Sequence, residues 1–203
     1  MTTFDLHGAR TGNSLRAAIA LAESGLPFKA VPVDLRRGEH RSNAFAALNP
    51  LGKVPVLVID DGDGPWALSQ SGAIMLEVAR RAGERLMPRE PRANALALER
   101  FFYFITDVIE PSHAGFFLAR DDEQAGAVAL HRLVVERIHA ADAFLSRSPW
   151  MSGQHFSLAD IAAYTLITAE GEHVDWDAHP TLSSWYGRVA TRPAVKLGLA
   201  AFD

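Results

Sequence analysis

Cysteine is absent from the chain, which excludes disulfides, thiolate nucleophiles and cysteine-ligated metals. Any redox role therefore needs a thiol brought in by a cofactor or substrate. An apolar run long enough to cross a bilayer is also missing, so no membrane partner is expected. The chain does not open on a basic region followed by an apolar core, so no secretory signal is expected and the cytoplasm is the expected compartment. Basic excess is lacking too. Twenty Lys and Arg stand against 24 Asp and Glu, a formal charge of -4, which argues against a nucleic-acid partner. The densest basic cluster, Arg36, Arg37, His40 and Arg41, reads as a solvated face or as a seat for a small carboxylate. A strand-linked G-x-G-x-x-G is missing, which speaks against a dehydrogenase. The histidines show no ligand spacing, since His131 and His139 stand two helical turns apart, and no metal is expected.

What remains is an ordinary globular composition, 48% hydrophobic and 22% charged over 203 residues, enough for a real core. The first part alternates element types. Phe4 to Leu6 reads as a strand and Leu15, Ala18, Ile19 and Ala22 as one face of a helix, with Asn13 or Ser14 as its cap. Gly25 and Pro27 end that helix, and Phe28 to Val33 reads as an edge strand because of Pro32. Val54 to Ile59 and Trp66 to Leu68 flank an acidic turn as a hairpin, and Ile74, Met75, Val78 and Ala79 line a second helix. From Arg92 onward the pattern is helical, with a kink or break expected over Pro111 to Gly115. Ser157 and Asp160 form a capping box for a helix starting after Phe156. The expected organisation is α/β over 1–82, a linker at 83–91 and an all-helical domain over 92–203.

Pro55 at the start of an apolar strand removes a ladder donor, which suggests either a cis Val54–Pro55 bond or an edge strand. In the first case Val54 presents backbone N–H and C=O to an extended, peptide-like ligand. Gln70 and Ser71 open the following helix, where orphan N–H groups favour a carboxylate, and Lys53 adds charge nearby. These residues together suit a short anionic peptide.

Three segments then carry a resemblance. Asn49-Pro50-Leu51-Gly52-Lys53-Val54-Pro55, Leu68-Ser69-Gln70-Ser71-Gly72-Ala73-Ile74 and Phe156-Ser157-Leu158-Ala159-Asp160-Ile161 resemble, in this order, the signatures of the cytosolic glutathione transferase family. The resemblance spans essentially the whole chain. It implies a thioredoxin-like N-terminal domain, a helical C-terminal domain, a cis Pro55, glutathione as bound cosubstrate and a homodimer, with Arg80, Arg81 and the 92–104 helix near the dimer face. It also implies Val54 as backbone partner of the cysteinyl unit, Gln70 and Ser71 at the γ-glutamyl end, and Lys53 and His40 at the glycyl carboxylate.

A transferase must favour the glutathione thiolate, whose parent thiol has an ordinary pKa of about 8.5. The candidates lie in Ala9-Arg10-Thr11-Gly12-Asn13-Ser14, which resembles bacterial members with a Thr-x-Asn arrangement. Thr11, Asn13 and Ser14 can donate to sulfur, or can simply cap the first helix and satisfy its loop. Classes with an early catalytic tyrosine are departed from, because the first tyrosine is Tyr103. The electrophile is expected between the domains, with Tyr103 and His113 as polar contacts among aromatics at 101–117. The expected reaction is addition of the thiolate to a small hydrophobic electrophile. A glutathione-dependent peroxidase or disulfide reductase, and a non-catalytic glutathione-binding or interaction module, stand as alternatives.

Overall fold

The computed structural model describes residues 2–203, which divide into two compact units. The first runs to Leu86 and takes in Thr191–Asp203, and the second is Met87–Ala190. The last thirteen residues thus belong with the α/β unit, whereas the sequence pattern placed them with the helices.

In the first unit, β1 (Thr3–Gly8) leads into α1 (Gly12–Ser24) and β2 (Lys29–Pro32). A 3-10 turn (Glu39–Arg41) and α2 (Asn43–Leu48) follow, then β3 (Val56–Asp60), β4 (Pro65–Ser69) and α3 (Ser71–Ala82). The sheet order is β2-β1-β3-β4, parallel between β1 and β2 and antiparallel elsewhere. This is the thioredoxin-like arrangement that the signatures implied. Pro32 ends an edge strand, where its missing N–H costs no ladder bond. The short α2 is capped by Ser42, whose hydroxyl accepts from the Phe45 N–H at 3.2 Å.

Alternation along β1 buries Phe4 and Leu6, and Val56, Leu57 and Ile59 of β3 are buried beside them. Ala17, Ala18, Ile19, Ala20 and Leu21 make α1 buried nearly all round, because α3 and the terminal α10 (Pro193–Leu199) both pack on it. Gly198 makes that approach possible. A Cβ there would stand 2.6 Å from the Ile19 backbone. Arg192 then binds Glu23 through two hydrogen bonds of 2.6 and 2.7 Å. Gly25 closes α1 at φ 73, as its position after the last apolar residue predicts.

The helical unit starts with α4 (Pro91–Phe102), capped by the Glu90 carboxylate. Of the kink or break expected over Pro111 to Gly115, the break does not occur. A π-helical turn, Tyr103–Ile109, carries the chain directly into α5 (Glu110–Arg120). Proline cannot donate to the carbonyl four residues back and its ring crowds that oxygen. The carbonyl concerned is Asp107, and the Arg137 guanidinium takes over as its donor. The wider π turn thus accommodates Pro111 within a continuous helix.

Helices α6 (Gln124–Ala140), α7 (Asp142–Leu145), α8 (Leu158–Glu170) and α9 (Pro180–Ala190) complete the unit, with a 3-10 turn (Gly171–His173) after α8. The capping box is formed as the sequence predicts. Asp160 is fully buried, and its carboxylate accepts from Met151 N–H, Trp185 Nε1–H, Ser157 N–H and the Ser157 hydroxyl. Burial nevertheless pushes its pKa up to about 6.

Candidate glutathione site

The sheet register gathers the implicated loops. His7 pairs with Val56, Val56 with Ser69, and Gly8 with Pro32. The segment after β1, the approach to β3 and the start of α3 therefore all leave the same end of the sheet. These segments hold Thr11 to Ser14, Lys53 to Pro55, and Gln70 with Ser71.

The Val54–Pro55 bond is cis. Val54 lies beyond the paired residues of β3. Asn49 fixes the loop that leads to it. Its side-chain amide donates to the Lys53 carbonyl at 2.7 Å and its Oδ1 accepts from the Leu51 N–H at 3.1 Å. Leu48 and Val54 pack on the buried cluster of Val33, Phe45 and Val56. Lys53 stays exposed. His40, half-buried in the 3-10 turn, lies against this loop, with its carbonyl 3.0 Å from where a Gly52 Cβ would sit. Its Nδ1 is buried without a hydrogen-bond partner, so a ligand contact from this ring falls to Nε2.

Gln70 adopts φ 73, which an L side chain rarely does, and its side chain makes no capping bond to α3. The first-turn N–H groups of α3 are thus left without a side-chain cap from Gln70 and suit an anionic group. A non-glycine residue held in this region marks a position at which the surrounding structure imposes a conformation, as binding sites often do.

The thiol-end candidates have unequal surroundings. Thr11, and not Asn13 or Ser14, is the N-cap of α1; its Oγ1 accepts from the Ser14 N–H at 3.4 Å. Ser14 is fully buried, and its hydroxyl oxygen accepts from the Ala9 N–H at 3.3 Å and from the Thr11 hydroxyl at 3.1 Å. Burial thus turns Ser14 toward its own loop, where it orders Thr11. Asn13 is half-buried and its Oδ1 accepts from the Ser71 hydroxyl at 2.9 Å and from Arg16. Anchored there, the Asn13 amide can offer sulfur only its NH2 end.

Arg16 supports this loop from α1. It is buried, reaches both Asn13 and the Ser71 hydroxyl, the latter at 3.5 Å, and so ties α1 to α3 at the ligand end. An arginine on the buried face of an otherwise alanine-rich helix was the available signal for that tie. In the helical unit, Tyr103 donates its hydroxyl proton to the Arg137 carbonyl at 2.8 Å, and burial raises its pKa. That proton is committed within its own unit. His113 is half-buried on α5, while Phe101 and Phe104 are core and Phe116 and Phe117 are exposed. Arg81 is bound to Asp61 and Glu77 of its own unit.

The family model for the N-terminal domain of glutathione S-transferase matches residues 12–81. Glutathione S-transferase 3 of Zea mays is 31% identical over 93% of this chain and 89% of its own length. The chain belongs to the glutathione S-transferase family. Another relative, named disulfide-bond oxidoreductase YfcG, from Escherichia coli K12, is 29% identical over 94% of this chain and 91% of its own. A crystal structure of a family member from Pseudomonas fluorescens Pf-5, with two glutathione molecules bound, superposes with a TM-score of 0.87 at 25% identity, covering 97% of this chain and 92% of that one.

Proposed function

We propose that this transferase binds glutathione along the end of the sheet and uses Thr11 and Asn13 to hold its thiolate. The observation that carries the reading is the Ser71–Asn13–Arg16 cluster, which links the peptide-binding end to the thiol end. The cysteinyl backbone pairs with Val54, next to Pro55, and the γ-glutamyl end meets Gln70, Ser71 and the start of α3. The glycyl carboxylate lies toward Lys53 and His40 Nε2. Donors at sulfur favour the thiolate without a metal. The thiol proton passes to solvent. The sulfur lone pair then attacks the carbon of a small apolar electrophile, and the electrons leave on the displaced group or enter the adjacent π bond. His113 remains the proposed polar contact for the electrophile, with Tyr103 limited to its hydroxyl oxygen as an acceptor.

A second reading is favoured by the oxidoreductase relative and by the neighbour with two glutathione molecules. In disulfide reduction, the bound thiolate attacks a disulfide and releases one thiolate. A second glutathione then attacks the mixed disulfide, giving glutathione disulfide and the other reduced thiol. Homodimerisation is also proposed, on the strength of the family, and is read by solution mass. No helix among the described residues is long and apolar enough to cross a membrane, which fits the proposed cytoplasmic location.

Purified protein is to be assayed with glutathione against an aryl halide, a hydroperoxide and a small disulfide, alongside Thr11→Ala and Asn13→Ala. Turnover falls roughly 100- to 1,000-fold in each variant, as for loss of one preorganised donor, with glutathione binding largely retained. Full activity in both variants and in the double variant would remove the thiolate assignment. A dominant disulfide arm selects the second reading. Tight glutathione binding without turnover selects the interaction module.

A further inference from the structure

The helical unit brings together three side chains that the thiol chemistry does not use. His131 comes from α6, Glu170 is the last residue of α8, and His173 ends the 3-10 turn that follows. Each offers one ligand atom, and these atoms lie within 4.8 Å of one another. His131 Nδ1 stands 3.3 Å from Glu170 Oε2. The His131 and His173 rings meet edge-on with centroids 4.3 Å apart. Sequence spacing along the chain shows only half of this. Glu170-Gly171-Glu172-His173 puts a carboxylate and an imidazole one helical turn apart, on one face. The third donor comes from 39 residues upstream and is brought in by the packing of the helices.

We propose that His131, Glu170 and His173 bind one divalent transition-metal ion of the zinc type. The donor set, two imidazoles and one carboxylate, suits zinc, cobalt, nickel or copper and not magnesium or calcium. In tetrahedral coordination at about 2.0–2.1 Å, two ligand atoms stand about 3.3 Å apart. His131 and Glu170 already have that separation. His173 is exposed, and rotation of its side chain brings its ring onto the same centre. The carboxylate is oriented in advance, because the Ser112 hydroxyl on α5 donates to Glu170 Oε1 at 2.9 Å and leaves Oε2 facing the imidazole. Metal-binding carboxylates are held in this way by outer hydrogen bonds. Three protein ligands leave a fourth position for water. The ion would fasten the end of α8 to α6 and, through Ser112, to α5.

The same unit contains an internal contrast. His139 and His179 also touch, stacked at 4.3 Å, but His139 Nε2 already accepts the Asp175 N–H at 3.0 Å. That lone pair is committed, and although Asp142 Oδ2 stands 3.8 Å from His179 Nδ1, the three do not bring ligand atoms within 4.8 Å of one another.

The test is calorimetric titration of tag-free full-length protein with zinc chloride, repeated by cobalt(II) absorption. One equivalent binds with micromolar affinity, and cobalt gives a visible band of low-symmetry coordination. His131→Ala, His173→Ala and Glu170→Gln each weaken zinc at least ~10-fold, and Ser112→Ala weakens it to a lesser degree. His139→Ala leaves zinc binding unchanged. His173 is exposed, so its variant keeps the fold and circular dichroism verifies this. Absence of saturable one-to-one binding, or equal affinity in both His131→Ala and His173→Ala, would overturn the proposal and leave an ion pair with a ring contact.

Discussion

At the scale of single residues, the site separates into groups a sequence displays and groups only a fold reveals. The proline at a strand start and the polar pair opening an apolar helix are local signals, and Pro55 is cis and Ser71 opens α3 after Gln70 as they suggest. Ser14 and Thr11 were legible as a set but not by role. Which of three neighbouring polar residues caps a helix depends on backbone angles within one turn, and Thr11 takes the extended conformation that the cap requires, at φ -121 and ψ 151. Arg16 makes a contact with Ser71 that was not legible because the two lie 55 positions apart. Its position has a consequence for Ser71, whose hydroxyl donates to Asn13 while its residue opens α3. Ser71→Ala removes a hydrogen-bonding group from a site for a charged ligand, an interaction of about 1.5–3 kcal/mol. Glutathione affinity, measured by equilibrium titration, is expected to fall roughly 10- to 100-fold. Unchanged affinity would place the γ-glutamyl group elsewhere.

At the scale of elements, strands and long helices were read correctly wherever apolar periodicity and caps agreed. Ser157 with Asp160 is the clearest case, since local capping and the buried hydrogen bonds of Asp160 point to the same helix start. Pro111 is the instructive difference. A proline within a helical pattern signals a break from local sequence alone, but Arg137, contributed by another helix, donates to the carbonyl that proline leaves without a donor. Tertiary partners of this kind are invisible to a window of neighbouring residues. Helix α6 also carries a pH dependence. His139 accepts the Asp175 N–H through Nε2, which requires a neutral ring at that nitrogen. Burial, and then the charge of the stacked His179, lower its pKa below 6.5. A base with a depressed folded-state pKa binds fewer protons folded than unfolded. Its stabilising contribution is therefore complete above about 6.5 and is lost as pH falls through the lower folded value. Asp160, whose pKa is raised to about 6, titrates in the same range with the opposite sign, so the His139 loss is read as the difference between wild type and His139→Gln in denaturant unfolding across pH 7.5 to 5. An equally steep acid limb in the variant would assign the effect to other groups.

At the scale of the whole molecule, the order of elements was legible, and the final helix was not assigned to the right unit. Val195 and Gly198 look like any helical residues in sequence. The close passage of Gly198 over Ile19 and the Arg192–Glu23 pair help make α10 part of the α/β unit. The sheet register does the remaining work for function by bringing three separated loops to one end. The account then rests on glutathione bound there as a thiolate. Difference absorbance of bound glutathione, titrated with pH in wild type and in Asn13→Ala, tests that most directly. Bound thiol is predicted to ionise below the ordinary value of about 8.5 in wild type and to move back toward it in the variant. A bound thiol that titrates like free glutathione in both proteins would contradict the account.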